Sequence, residues 1–398
     1  MTKTAIVAGG GIAGTVAALA LHRAGFTPLI HEAHPRNADE RGAFLTVAVN
    51  GLEALRALDL DPAELVGAGF PTPAVVLRNS AGKRLAELPL DGSPGAGAST
   101  TTIRRADLYA ALRAAAERRG IAIAYGKRLS TATTGADGVT AEFDDGTSVR
   151  GDLLVGADGL HSRARTVLDP AAPAPRYLGL LNAGGFTAGP VAGAGEPGVM
   201  QMAFGRHAFF GWVTAPDGSV WWFANPPAPR PVQPGEWTPE SWRAHLLELF
   251  AADGIPAVSL IEASAEIVGP WSTWDFPRVP VWRNDRAVLV GDAAHAVSPS
   301  SGQGASMAIE DAVTLGRCLA ASPGIPAALE AYERLRRDRV EKVVEYGRRT
   351  GSTKTVGRVG ATLRDAALPL VMRMLYRKGN PQAWILDHRV DAVGPIRA

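Results

Sequence analysis

The sequence predicts an α/β protein: a parallel sheet with helices packed on it, a second and mostly antiparallel β-sheet set into the chain, and helices at the C-terminal end. Three observations predict it. A glycine-rich passage joins an apolar strand to a helix within the first 32 residues. Two further apolar strands, Leu153–Val155 and Ala287–Val290, each run into an acid, a turn and a helix. The intervening stretches read as hairpins, with strand-like runs broken by Gly- and Pro-rich turns.

Composition bounds the rest. The 398 residues are too many for one small core and enough for two domains or one composite domain. No apolar run reaches the roughly 18 residues of a membrane span. Met1–Lys3 leads straight into an apolar strand, which argues against a signal peptide. The single cysteine, Cys318, excludes an internal disulfide and a thiolate metal cluster and reads as helix core. A formal net charge of +2 gives no nucleic-acid surface. These features lead us to expect a cytoplasmic protein without integral membrane association, monomeric or homodimeric.

The first element is the strand Ala5–Ala8, followed by a helix to Arg23. Between them lie Gly9, Gly11 and Gly14, with Ile12 and Ala13 in the last gap. Gly9 suits a tight turn, Gly11 a close approach of backbone to phosphate, and Gly14 a helix packed close to its strand. The helix N-terminus then offers amides and partial positive charge to a pyrophosphate. A second strand, Pro28–Ile30, ends at His31-Glu32. Glu32 stands 18 positions after Gly14, near the roughly 20 expected of an acid that binds a ribose hydroxyl. This motif leaves NAD and FAD both open.

The next passage, Gly151–Leu168, ends its strand at Asp158-Gly159 and starts a helix near Ser162. It suits a polar ligand group or a plain strand–turn–helix capped by Ser162. The third, Arg286–Ala312, places Asp292 at a strand end. A loop with Pro299 follows, then Gly302, Gln303 and Gly304, with a helix from about Ala305. One phosphate group does not need two Gly-rich helix N-termini. A flavin dinucleotide does, since the second can stabilise negative charge at the N1–C2 edge of its ring, and Asp292 can accept from ribityl hydroxyls.

The three passages "GGGIAG", "DLLVGADGLHSRAR" and "VLVGDAAHAVSPSSGQGASMAIEDA" together resemble the single-component FAD-dependent aromatic monooxygenases, the p-hydroxybenzoate and salicylate hydroxylase type. The resemblance covers the cofactor domain nearly end to end and in order. It implies a Rossmann-type FAD-binding domain in which Gly9, Gly11, Ile12, Ala13, Gly14 and Glu32 hold the ADP half. Asp158 and Gly159 support the cofactor and the nicotinamide nucleotide, Asp292 holds ribityl, and Pro299 with Gly302–Ala305 faces the flavin ring. Arg105 fits the family's cofactor arginine, although Arg104 competes for the place and a solvated first-turn arginine is the other reading. Arg41, beside Gly42, resembles another FAD contact, and Leu129 a backbone contact near the adenine. The resemblance further implies NADPH or NADH as co-substrate. Reduced flavin and O2 then give a C4a-hydroperoxide whose distal oxygen hydroxylates or epoxidises an electron-rich ring or alkene. That chemistry is the cofactor's and needs no catalytic side chain. Should a phenol need deprotonation, Tyr177 and His207 are the candidates. A lone His295 reads as structural.

We expect a discontinuous cofactor domain over 1–70, 100–175 and 277–350, a β-sheet substrate domain over 71–99 and 176–276, and a C-terminal helical segment over 351–398. One hairpin turns at Ser80-Ala81-Gly82, another at Pro216-Asp217-Gly218. An even-membered second turn puts Phe210, Trp212, Trp221 and Phe223 on one face, as a wall of an apolar substrate pocket or as plain core. An odd one puts Phe209 and Gly211 with Trp221 instead. The basic run Arg334, Arg336, Arg337, Arg339 and Lys342 reads as a solvated helix face. "LPLVMRML" is too short to span a bilayer and reads as a domain cover or dimer contact.

No metal-ligand spacing or Gly-x-Ser-x-Gly elbow occurs, and the W-x-W-x-I-P signature of flavin-dependent halogenases is missing. A flavin reductase or desaturase, and a flavin protein that only sequesters a ligand, remain as alternatives. With no evident arginine clamp in the inferred pocket, an apolar polycyclic or terpenoid-like substrate is favoured over a small benzoate.

Overall fold

The computed structural model describes residues 2–35, 42–93, 97–276, 278–352, 358–377 and 379–390. Its helices, in chain order, are α1 (Ile12–Arg23), α2 (Val49–Arg56), α3 (Pro62–Val66), α4 (Arg105–Arg118), α5 (Arg163–Leu168) and α6 (Pro239–Phe250). They continue with α7 (Ala257–Ala263), α8 (Asp292–His295), α9 (Gly304–Ala321), α10 (Ile325–Ser352), α11 (Arg358–Tyr376) and α12 (Ala383–Leu386).

The five-stranded parallel sheet has the order Ala287–Leu289, Leu153–Gly156, Thr4–Ala8, Thr27–Glu32, Ala122–Tyr125. All three motif-bearing strands therefore lie side by side, and their carboxyl ends open toward one place. Strands buried on both faces read as continuous apolar runs, and Ile6, Val7, Leu153, Val155 and Val288 are fully buried. α1 is buried over Gly14–Leu21, because α9 packs along it. A side chain at Gly316 would meet the Ala20 methyl at 2.8 Å, so glycine permits that contact.

A seven-stranded mixed sheet forms the second layer, in the order Ser264–Asp275, Arg176–Thr187, Val220–Asn225, Phe209–Thr214, Val199–Phe204, Ala74–Asn79, Arg84–Pro89. Its pairs are antiparallel except Val199–Phe204 with Ala74–Asn79. One face buries against α6 and α7, and the other faces α11 and the residues around Phe44 and Phe70.

The aromatic hairpin takes the odd register. Five residues, 215–219, separate its strands, and the Ala215 amide donates to the Ser219 carbonyl. Gly211 then pairs with Phe223, Val213 with Trp221, and Trp212 with Trp222. Phe210 and Trp212 therefore turn with Trp222 toward α6, where Phe210 stacks on Trp222 and meets Phe250 edge-on. Their expected place in a pocket wall shared with Trp221 and Phe223 is corrected: both are core, on the opposite face. The hydrogen bonds that close the loop, not the residue types in it, fix its length.

Candidate functional site

The carboxyl ends of the parallel strands open into a cavity of about 1940 Å3 that continues across the second sheet to α11. At its first end the glycine turn is held by steric necessity. Gly9 has φ +104°, and a Cβ there would stand 2.4 Å from the Ala157 carbonyl oxygen. A Cβ on Gly14 would stand 1.9 Å from the Gly9 oxygen, so neither position admits a side chain. Gly11 lies on the cavity side, with Ile12 and Ala13 beside it. The first intrahelical bond runs from the Thr15 amide to the Gly11 carbonyl, which leaves the preceding amides of α1 without helical acceptors. Glu32 is fixed opposite them: one carboxylate oxygen accepts from the Gly10 amide at 2.7 Å, the other from His34 at 2.8 Å.

Asp158 and Gly159 line the same cavity. The Asp158 carboxylate accepts from the amides of Arg163 (2.7 Å) and Ala164 (3.0 Å) and from the Ser162 hydroxyl, while Ser162 accepts from Arg165. The turn caps α5, as the strand–turn–helix reading expects, and it also borders the cavity. Leu129 borders it from the strand Leu129–Gly135. Arg105 opens α4, and its Nε–H donates to the Tyr109 hydroxyl at 2.8 Å, with the guanidinium over that ring. Arg104 instead stacks on Phe186 and Trp221, away from the cavity lining. Arg41 lies outside the described residues.

The second helix terminus completes this end. Gly291, at φ +60°, brings the start of α8 against α1, where a Cβ would meet the Ala13 methyl at 2.8 Å. Asp292 is exposed to the open cavity, and its carboxylate accepts no hydrogen bond from the described residues. Desolvation by the protein around the cavity mouth pushes its pKa up against the pull of His295 and Arg105. Pro299–Ser301 forms a single 3-10 turn, Gly302 takes φ +62°, and Gln303 leads into α9. Pro299, Gly302, Gln303, Gly304 and Ala305 all border the cavity. The Gln303 side-chain oxygen accepts from Asn50, which locks the turn to α2.

The far end is apolar. Phe209 and Phe223 line it with Met200, Met202 and Leu77, and Leu368 and Met372 of α11 close it. Trp221 shares this face but sits one layer behind, 5% exposed among Phe44, Phe70 and Phe186. It does not touch the cavity. Tyr177 donates to the Ala228 carbonyl and His207 lies exposed on a strand connection, so neither candidate proton acceptor borders the chamber.

Beneath the site is a buried ionic cluster that the sequence reading missed. Arg336 is 1% exposed and donates to Asp311 at 2.8 Å and Glu310 at 2.6 Å. Arg339 donates twice to Glu310. Asp311 also accepts from the Gly291 amide at 2.9 Å and pairs with the His295 ring, so it ties down both ends of α8. The expected solvated face is corrected for these two arginines, which point inward, and for Arg337. The Arg337 guanidinium packs over the buried Trp282 ring and donates to the Val279 and Pro280 carbonyls, while Arg334 and Lys342 are exposed. The signal was present, because Leu329, Tyr332, Arg336, Val340 and Val343 recur at helical spacing and Arg336 sits on that apolar stripe.

Its charge partners hold the Asp311 carboxyl at about 2, below the ordinary 3.8, against the opposing effect of burial. A depressed carboxylate stabilises the fold above its unfolded pKa and loses that stabilisation as pH falls through its folded value. Denaturant unfolding should therefore weaken by about 2 kcal/mol between about pH 4 and 2 on this group's account. In Asp311→Asn that component of the acid limb should vanish, and an unchanged limb would remove Asp311 from it.

Two helix N-termini at one end of a chamber, with an acid-tipped strand between ring-lined walls and phosphate-sized glycine gaps, are the arrangement of a flavoprotein oxidoreductase. The chain matches the family described as FAD binding domain over residues 1–346. It belongs to that family, among the single-component FAD-dependent aromatic monooxygenases. It is 34% identical to aurachin C monooxygenase/isomerase of Stigmatella aurantiaca, over 87% of this chain and 88% of the relative. It is 30% identical to 6-hydroxynicotinate 3-monooxygenase of Pseudomonas fluorescens, over 85% of this chain and 88% of that one. Among solved structures it resembles Klebsiella pneumoniae HpxO complexed with FAD and uric acid. That likeness has a TM-score of 0.81 and 28% identity, and covers 98% of this chain and 96% of that one.

Proposed function

We propose that this FAD-dependent monooxygenase uses NADPH or NADH and O2 to hydroxylate or epoxidise an apolar aromatic or polycyclic molecule held against the seven-stranded sheet. The observation that carries the reading is the continuity of one cavity from two polar helix termini to an apolar, Phe- and Met-lined end.

The residues present fit FAD. The side-chain-free edge at Gly11 and the open amides of α1 suit a pyrophosphate, and Glu32 suits a ribose. The unpartnered, cavity-facing Asp292 suits ribityl hydroxyls, and the start of α9 suits the ring's N1–C2 edge. Arg105 and Leu129 border the path between. Bound there, FAD supplies hydride acceptance and oxygen transfer. The chain's own share is positional. The two helix termini and Asp292 would hold the cofactor, and the apolar walls would keep water from the reacting atoms. On this reading the cofactor half comes from 1–70, 100–175 and 277–350, and the substrate half from 71–99 and 176–276, with α11 of the C-terminal helical segment as its roof.

Substrate-dependent NAD(P)H oxidation, measured with labelled dioxygen, tests the proposal. Label in the product supports it. Turnover that needs no O2 would favour a reductase or desaturase, and no turnover with any ring substrate would favour a ligand-sequestering protein. A narrower expectation concerns Asp292→Ala. It should fold normally and bind FAD about 1–3 kcal/mol more weakly, since hydroxyl donors lose their acceptor. Fluorescence titration of the apoprotein with FAD reads this directly, and unchanged affinity would reassign Asp292.

A further inference from the structure

We infer that the outer face of α11 docks on an anionic lipid surface. This helix has two apolar faces. The inner one, with Leu368, Met372 and Tyr376, closes the chamber. The outer one has nothing on it among the described residues: Leu363 is 66% exposed, Leu370 70% and Met374 66%. At helical spacing these three fall in one row with Ala367 between them, and Val371 is exposed beside the row. Single exposed leucines are ordinary, but a row of large ones on one helix marks a contact surface.

Charge selects the occupant. Residues 351–398 carry eight Lys and Arg against three Asp and Glu, whereas the preceding 350 carry 33 against 36. The excess positive charge of the chain is thus concentrated in the segment that holds the apolar row. Arg373 and Arg377 flank that row, exposed, and neither pairs with an acid among the described residues. An apolar stripe with a basic flank suits the plane of an anionic bilayer, where the stripe enters the acyl boundary and the arginines meet lipid phosphates. A second copy of the chain would instead bring the same positive excess to both sides of the contact. No described helix is long and apolar enough to cross a membrane, so the attachment is peripheral. The chamber's roof would then rest on the phase in which apolar molecules dissolve.

The test is sedimentation of the FAD-loaded protein with extruded vesicles, which needs no turnover and so stands apart from the oxygenation reading. Phosphatidylcholine vesicles containing one part in about four of phosphatidylglycerol should carry the protein down at low salt, and pure phosphatidylcholine about tenfold less well. Leu370→Asp/Met374→Asp should need about tenfold more lipid or worse, with unchanged melting temperature and FAD content. Arg373→Gln/Arg377→Gln, which keeps the apolar row, should lose the preference for anionic vesicles. Protein left in the supernatant with both vesicle types overturns the inference, as does a Leu370→Asp/Met374→Asp protein that sediments like the native one. A native dimer in light scattering that this substitution dissociates, without lipid binding, would assign the face to a second copy instead.

Discussion

Arg336→Met should destabilise the fold by about 3–5 kcal/mol, the cost of leaving buried carboxylates without their cation. The loss falls unevenly. Glu310 keeps both bonds from Arg339 and one from Asn50. Asp311 keeps only the Gly291 amide and the His295 ring, within the parallel-sheet core. Because Asp311 anchors α8 at both ends, the damage should travel to the cavity-facing Asp292, and FAD should dissociate at lower denaturant concentrations than those that unfold the chain. Denaturation followed in parallel by flavin fluorescence and far-UV dichroism separates the two. Coincident transitions would show that the cluster supports the fold without positioning Asp292. The double variant Arg336→Met/Asp311→Leu should recover only part of the loss, since the Gly291 amide then has no acceptor.

The second large effect distinguishes two aromatic residues two positions apart on one face of the hairpin. Phe223→Ala should take a ring from the chamber lining, admit water and lower coupling, so that NAD(P)H oxidation releases hydrogen peroxide in place of oxygenated product. Trp221→Ala should cost about 3–5 kcal/mol of stability, as the loss of a packed aromatic among Phe44, Phe70 and Phe186, with coupling retained in the folded fraction. The peroxide-to-product ratio beside a melting curve decides. An uncoupled but stable Trp221→Ala protein would move that indole to the cavity surface.

The contrast shows which features were legible from sequence. Gly9, Gly11, Gly14, Glu32, Asp158 and Asp292 belong to local strand-to-helix passages, where a few adjacent residues dictate the backbone, and all but Gly14 border the cavity. Gly14 lies under the turn, as its steric reading requires. The apolar wall of the chamber was less legible. Its membership depends on strand register, which a loop of five residues rather than four inverts for every side chain. The ionic cluster was hidden differently: Glu310 and Arg336 lie 26 positions apart on separate helices, and a run of arginines looks solvated until one of them is set on the apolar stripe. The roof over the chamber was visible only as a short apolar string, because its two faces separate only once it is wound into α11.

Gly211 touches no cavity, yet it governs the cavity's bore. The Phe223 ring lies flat on it, so close that a methyl group at 211 would stand 2.3 Å from two ring carbons. The obstructing atoms are the far end of a side chain that can rotate, so the added carbon would lift the ring into the chamber. A substitution at 211 would therefore narrow the chamber from the row behind its lining, while every residue that borders it keeps its identity.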